Sequence, residues 1–211
     1  MSMLDHSCKH FLSDLASKAP VPGGGGAAAL TAATGVALAD MVGNLTAGKK
    51  KYTAVEPEIQ QLLARGEKLL AELEALVDRD AEVFEPLARA YRLPKATPEQ
   101  ENLKNDAIEK CAKVACSVPL EIMRKSCEGI EIQRRMGVIG TELAVSDVGC
   151  GAALLKAALV AGSLNVQINL NLIKDRPFVE TTRKEMAGLL EVGSEMADAT
   201  LALVTERLTQ A

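Results

Sequence analysis

The sequence is poor in aromatic side chains and has no strong excess of charge of either sign. Its 211 residues include three Phe, two Tyr and no Trp, so it has few rings on which nucleic-acid bases could stack. Its formal net charge is −4, whereas nucleic-acid-binding domains usually carry a broad basic face. These two features predict that the protein has no nucleic-acid partner.

Paired cysteines and clustered histidines are also scarce. The cysteines form no Cys-x-x-Cys pair and are odd in number, which is typical of reduced thiols in a cytosolic protein. They are Cys8, Cys111, Cys116, Cys127 and Cys150. The two histidines, His6 and His10, are one helical turn apart, a spacing that suits a metal ion, but no clear third ligand accompanies them. We therefore predict a solvated helix face there and no metal site.

Apolar segments of the kind that direct a protein to a membrane are missing as well. A secretory signal peptide needs an apolar stretch where this chain has Asp5 and His6. The most apolar segment, residues 152–161, is interrupted by Lys156 and is too short to cross a bilayer. We expect a cytoplasmic protein with no membrane partner. The length predicts one domain, residues 1–211, with an adequate hydrophobic core.

The positions of proline, glycine and capping residues predict an all-α fold. Pro57 occupies a favourable first-turn position, and Pro86 should kink the helix that starts there. A capping box begins at Thr97. Residues 165–172 alternate between polar and apolar types like a strand, but no second strand candidate could pair with them, so we predict a helix. The predicted helices cover about residues 3–16, 27–46, 57–92, 98–136 with a bend at Pro119, 146–162, 165–172 and 176–208.

Glycines precede the second predicted helix, and lysines follow it. Residues 23–26 are all glycine, and glycines ahead of a helix let the backbone approach a ligand and aim N–H groups at an anion. Lys49 and Lys50 follow the helix end at Gly48, where negative charge would also be favourable. The same residues could instead serve close helix packing and complement the helix dipole. No Gly-Lys-Ser/Thr follows the glycines, so the loop is not a Walker A motif.

A single carboxylate stands out as a candidate for proton transfer. Asp80 lies on the apolar stripe of the third helix, seven residues from Leu73 and seven from Leu87. Burial disfavours the charged form of a carboxyl group and raises its pKa, which suits it to proton transfer near neutral pH. The alternative is a structural acid that pairs with an arginine or caps a helix.

Four further polar residues are candidates for a site. Asn165 and Asn169 are one turn apart on an otherwise apolar helix, and buried amides must hydrogen-bond either to neighbours or to a ligand. Ser146 and Asp147 are most simply an N-cap pair for the helix that follows them.

Taken together, these motifs resemble the C-terminal family of the formiminotransferase-cyclodeaminases. Each motif is weak alone, but their order along nearly the whole chain is specific. The matching segments are Ala19-Pro20-Val21-Pro22-Gly23-Gly24-Gly25, Met41-Val42, Leu45-Thr46, Gly48-Lys49-Lys50-Lys51-Tyr52, Asp78-Arg79-Asp80 with Phe84, Leu93-Pro94-Lys95, Val118-Pro119-Leu120, Ser146-Asp147 and Asn165-Val166 with Ile168-Asn169-Leu170. The chain departs from the family pattern at Thr141, where the family has Asn. It departs again at Lys104, where Arg is common and gives a bidentate contact to a carboxylate.

The resemblance implies a compact bundle of about six or seven helices that forms a homodimer, and a folate ligand with no other cofactor. It makes Asp80 the catalytic acid/base and directs the glycine loop and the lysines to the pterin edge or the glutamate tail. The implied substrate-binding residues are Gly23, Gly24, Gly25, Lys49, Lys50, Ser146, Asp147, Asn165 and Asn169.

The family contains two related reactions. The first is hydrolysis of 5,10-methenyltetrahydrofolate to 10-formyltetrahydrofolate, and we predict this one because the glycine-rich and lysine-rich segments look most like those of free-standing cyclohydrolases. The second is cyclodeamination of 5-formiminotetrahydrofolate, which releases ammonia. No formiminotransferase segment accompanies the motifs, so we expect a free-standing enzyme. Two other hypotheses are a non-enzymatic helical interaction module and a nucleotide-phosphate binder.

Overall fold

The fold consists of helices and connecting loops. A computed structural model describes residues 2–210, and within that range no strand occurs, which confirms the predicted all-α class. The α-helices are α1 (Cys8–Leu15), α2 (Gly24–Thr46), α3 (Glu56–Ala90), α4 (Pro98–Ala115), α5 (Ser117–Ile139), α6 (Val145–Leu170) and α7 (Arg176–Thr209). Short 3₁₀ helices cover Met3–Asp5, Lys50–Val55 and Glu142–Ala144.

Helices α2 and α6 run antiparallel through the centre of the bundle. The Thr141 N–H, just before α6, donates to Thr46 Oγ1 at the end of α2 over 2.9 Å, and the far end of α6 reaches the start of α2. Small residues allow this close packing, because a Cβ added to Gly35 would stand 3.0 Å from the Gly151 carbonyl oxygen. Helices α3, α5 and α7 pack around this central pair.

Two of the predicted helix starts are confirmed by their capping contacts. Thr97 Oγ1 accepts the Gln100 N–H over 3.3 Å at the start of α4. Asp175 Oδ1 accepts the Phe178 N–H over 3.2 Å at the start of α7. Both helices have Pro in the first turn, where the missing N–H would have no intrahelical acceptor in any case.

The predicted boundaries around α6 are wrong. Ser146 and Asp147 are not an N-cap pair: the cap is Ala144, without a side-chain hydrogen bond, and both residues lie inside the first turn of α6. The helix also does not end near Gly162, because that glycine is a packing position. A Cβ there would lie 2.8 Å from Met123 Cγ and 3.2 Å from the Pro119 carbonyl oxygen. Residues 165–170 of the alternating segment are therefore the last part of one continuous helix, as predicted in type, and residues 171–172 follow its end.

Two other boundaries differ from the sequence prediction. Helix α2 begins at Gly24, three residues earlier than predicted, and its cap is Gly23. The predicted bend at Pro119 is instead a break at Cys116, which separates α4 from α5. Pro119 then falls in the first turn of α5, where a missing N–H costs no helical hydrogen bond.

The apolar helices are longer than the sequence analysis expected. The prediction that the most apolar segment is too short to cross a bilayer is wrong, because that segment is part of a longer helical stretch. The helical stretch Glu142–Leu170 and α2 both have the length and composition of a membrane span. About half of each apolar stretch is buried inside the bundle, and apolarity on all sides is also what a core helix shows.

Candidate active site

The start of α2, the middle of α3 and the last turns of α6 enclose a small cavity. Its volume is about 170 Å³. Its polar lining comes from the glycine loop and from three of the predicted side chains, and the walls are apolar. The polar lining residues are Gly23, Gly24, Gly25, Asp80, Asn165 and Asn169, and the apolar ones include Val21 and Phe84. The structure therefore brings six of the ten predicted site residues together.

Asp80 faces the N-terminus of α2. Its Oδ2 accepts the Gly26 N–H over 3.0 Å, so a side chain from α3 satisfies one of the free donors at the start of α2. This contact requires glycine at position 25, because a Cβ there would overlap the Asp80 carboxylate. The second oxygen, Oδ1, accepts no hydrogen bond from any residue that the structure describes, and it remains available to a water or a substrate.

The environment of Asp80 raises its pKa above the ordinary value for a carboxyl group. Burial is the larger cause, and the hydrogen bond from the Gly26 N–H opposes it because that bond stabilises the ionised form. The prediction that burial on the apolar stripe raises the pKa of Asp80 agrees with this direction. A partly buried carboxylate with one open oxygen has the properties of a general base.

The two asparagines use their amide nitrogens for structure and leave their oxygens free. Asn165 Nδ2 donates to the Ala161 carbonyl oxygen over 2.8 Å, and Asn169 Nδ2 donates to the Ala115 carbonyl oxygen over 3.2 Å. Within residues 2–210 neither Oδ1 accepts a hydrogen bond. Asn165 also packs against the glycine loop, since a Cβ on Gly24 would lie 3.2 Å from its Nδ2. Each asparagine therefore hydrogen-bonds to its neighbours through its amide nitrogen and leaves its amide oxygen available to a ligand.

The other four predicted site residues lie at the opposite end of α2. Lys49 and Lys50 follow α2, whose 23 residues span about 34 Å. Ser146 and Asp147, at the start of α6, lie at that same end because α2 and α6 are antiparallel. Within one chain these four residues do not reach a molecule bound beside Asp80.

The histidines do not supply an alternative reactive centre, and neither do the thiols of Cys116, which is buried, and Cys127, which is partly buried. Among residues 2–210 no three His, Cys, Asp or Glu side chains are grouped to hold a metal ion, and His10 contacts Asp14 at 3.3 Å. Burial raises the pKa of Cys116 to about 12 and, with a contribution from a nearby carboxylate, that of Cys127 to about 11. These two thiols are therefore poor nucleophiles at neutral pH.

Sequence reasoning missed a second partly buried carboxylate, Asp40. It lies on α2 and faces α3 at Gly66, where a Cβ would overlap its carboxylate. Its Oδ1 is buried without a hydrogen-bond partner among the described residues. Burial, with a smaller contribution from Glu67, raises its pKa to about 6. It lies about 22 Å along the helix from Gly25, so it is not part of the cavity. The sequence could have indicated Asp40, because it is the one charged residue in α2.

Replacing Asp40 with Asn should raise the free energy of unfolding near neutral pH by about 1 kcal/mol. The folded pKa of about 6 is above the ordinary 3.8, so the unfolded chain loses its proton first. Stability should fall as pH rises through that window and stay low above it. Urea unfolding at about pH 5 and about pH 7.5 checks this, with a smaller pH effect expected in the variant. A variant that is less stable than wild type at both pH values would contradict it.

The fold and the cavity define an all-α protein with a small cavity that contains one partly buried carboxylate. Comparison with known proteins then identifies the family: a model of the formiminotransferase-cyclodeaminase family matches residues 7–188. The chain belongs to this family, and the predicted resemblance is confirmed.

Similar proteins fall into two groups. The chain is 41% identical over 180 residues to a methenyltetrahydrofolate cyclohydrolase of Methylorubrum extorquens, covering 85% of this chain and 86% of that protein. It is 31% identical over 206 residues to a formimidoyltransferase-cyclodeaminase of Rattus norvegicus, covering 98% of this chain but only 38% of that protein. A crystal structure of formiminotetrahydrofolate cyclodeaminase from Thermotoga maritima has a TM-score of 0.80 at 30% identity and covers 97% of this chain and 96% of that one. The prediction of an enzyme is confirmed by these relatives.

Proposed function

We propose that this chain hydrolyses 5,10-methenyltetrahydrofolate to 10-formyltetrahydrofolate, with Asp80 as the acid/base group. The observation that carries the proposal is the open Oδ1 of a carboxylate whose pKa is raised by burial and whose other oxygen is fixed by the Gly26 N–H. The similarity to a cyclohydrolase over most of the length of both chains supports the choice of reaction.

The size of the cavity fits the reacting part of the substrate rather than the whole molecule. At about 170 Å³ it is smaller than the roughly 300 Å³ at which pockets for drug-sized ligands begin. The pteridine and its bridging carbon would enter it, while the rest of the folate would remain outside. Asn165 and Asn169 offer amide oxygens to the ring N–H groups. Ring donors left unpaired in the cavity would bind poorly, so these acceptors favour one orientation of the ring.

The reaction balances with one water and one carboxylate. The bridging carbon is part of a cationic N–C–N unit, and Asp80 accepts a proton from water as the water oxygen bonds to that carbon. The bond from the carbon to the 5-nitrogen then breaks, and Asp80 returns the proton to that nitrogen. The carbon remains on the 10-nitrogen as a formyl group, and the second proton of the water is released to solvent as the positive charge is lost.

The pH dependence of this reaction should reflect Asp80. The group must be ionised to accept a proton, and burial places its pKa above 3.8, so kcat/KM should fall as pH decreases through an apparent pKa above that value. The measurement is the loss of methenyl absorbance, with the uncatalysed rate subtracted. The Asp40→Asn variant should keep the same acidic limb, which separates the two carboxylates. A profile that is flat down to about pH 4 would contradict the role of Asp80.

The second candidate reaction is the cyclodeamination of 5-formiminotetrahydrofolate. The names of the Thermotoga and rat relatives include cyclodeaminase, which supports this reaction. The same carboxylate could move a proton as the 10-nitrogen attacks and ammonia leaves. Folates should raise the melting temperature of the protein in either case, because a ligand that binds only the folded state stabilises it. Stabilisation by ATP or NAD but not by folate would favour a nucleotide binder and contradict both candidates.

The outer faces of α2 and α6 support a homodimer. Both helices are predominantly apolar, and a helix that is apolar on most sides is normally buried. The exposed residues of both helices are uncharged, and they include Met41, Leu45, Val160, Leu164 and Ile168, each at least 39% exposed. Exposed apolar patches of this kind mark interaction sites, and we propose that a second copy of the chain covers this one. Sedimentation should give a dimer for wild type and a monomer for Leu164→Glu, whereas a monomeric wild type would contradict the proposal.

A further inference from the structure

A second and larger cavity lies next to the one that contains Asp80. Its volume is about 600 Å³, and it shares Pro20, Val21 and Phe84 with the smaller cavity as common walls. The two cavities therefore occupy adjacent faces of α3, separated by the loop before α2. A ligand whose ring system lies beside Asp80 can extend past Val21 and Phe84 into the larger space.

The lining of the larger cavity includes two arginines as well as three acids. Arg89 and Arg92 line it near the end of α3. Arg89 contacts Glu85 at 3.1 Å, and both side chains are about two-thirds exposed, so this pair is weak and exchangeable. Arg92 makes no ion pair within residues 2–210.

The other two acids of the larger cavity each contact one group, which is a neutral backbone N–H for Asp78 and an exposed arginine for Glu82. Asp78 accepts the Met3 N–H over 2.8 Å, and Glu82 contacts Arg79 at 2.8 Å. Bound anions would therefore meet Arg92 first and could displace Glu85 from Arg89. Guanidinium groups bind carboxylates through two parallel hydrogen bonds, which gives direction as well as strength.

We propose that the larger cavity binds the p-aminobenzoylglutamate part of the folate, with Arg92 and Arg89 holding the glutamate carboxylates. The inference rests on the proposed function, because it takes the ring system to lie beside Asp80. Phe84 forms the common wall, where its ring can contact the benzoyl ring. Within one chain, Lys49 and Lys50 lie about 34 Å away along α2 and do not reach this subsite.

The test compares two ligands that differ only in the glutamate. Tetrahydrofolate and tetrahydropteroate are titrated calorimetrically into wild type and Arg92→Gln, which needs no turnover. We expect Arg92→Gln to weaken tetrahydrofolate binding about tenfold, the scale for losing a charged hydrogen bond. The effect should disappear with tetrahydropteroate, which has no glutamate. In turnover, the same variant should raise KM for methenyltetrahydrofolate and change kcat little.

Two other variants make the test specific. Arg65→Gln removes an exposed arginine of α3 that lines neither cavity and pairs with Glu131, so it should bind both ligands like wild type. Lys49→Gln tests the competing location of the tail site. Equal weakening of both ligands in Arg92→Gln, or loss of glutamate discrimination in Lys49→Gln instead, would overturn the inference. A wild type that discriminates between the ligands through Arg92 but catalyses neither reaction would overturn the proposed function alone.

Discussion

Asp80→Asn should lower kcat by roughly a hundredfold or more, the usual scale for loss of a general acid/base group. The amide keeps the shape of the side chain but cannot accept the proton of the attacking water. The fold should remain intact, and stability near neutral pH should not decrease, because the substitution removes a charge that burial disfavours. The measurement is the rate of methenyl absorbance loss, with far-ultraviolet circular dichroism and the melting temperature as checks on folding.

A matched control is Asp106→Asn on α4, since Asp106 is exposed and lines neither cavity. It should keep the wild-type rate. Wild-type turnover in a folded Asp80→Asn protein would remove Asp80 from the mechanism and return it to the role of a helix cap for α2.

Gly25→Ala should have an effect of similar size for a steric reason. Its Cβ would overlap the Asp80 carboxylate, so either the carboxylate or the start of α2 must move. Small displacements of a catalytic group cost about a hundredfold in rate, and we expect a loss of that order in kcat. The measurement is the same absorbance assay on protein shown to be folded.

The neighbouring glycine provides the control for this substitution. A Cβ on Gly26 would meet only the Pro22 and Val77 atoms at 3.6 Å or more, and the N–H that binds Asp80 is retained in alanine. Gly26→Ala should therefore keep most of the activity. Equal losses in both variants would mean that helix packing, rather than the position of the carboxylate, controls the rate.

Asp80 could be predicted as the catalytic candidate because the helical spacing of the apolar residues around it is enough to place it on the core-facing side of α3. Asp80 falls on an apolar stripe, and the stripe faces the core whatever the details of the fold. Helix starts marked by a local side-chain cap, such as Thr97 and Asp175, were also predictable. These features depend on residues within a few positions of one another.

Features that depend on residues distant in sequence could not be predicted in the same way. Glycine disfavours helix, so an early start of α2 at Gly24 was not expected, and it is Asp80 from another helix that caps this end. The family resemblance assigned the lysines and the glycine loop to one ligand, whereas within one chain the rigid helix α2 keeps its two ends apart. The arginines of the larger cavity carry no local motif, and only the packing of the loop against α3 reveals them.

The most direct test of the proposed reaction is a side-by-side assay of the purified protein on two folates. One reaction follows the loss of methenyl absorbance from 5,10-methenyltetrahydrofolate, and the other follows ammonia release from 5-formiminotetrahydrofolate. We predict that hydrolysis is the faster reaction and that it depends on Asp80. Efficient ammonia release with negligible hydrolysis would contradict the proposed cyclohydrolase activity.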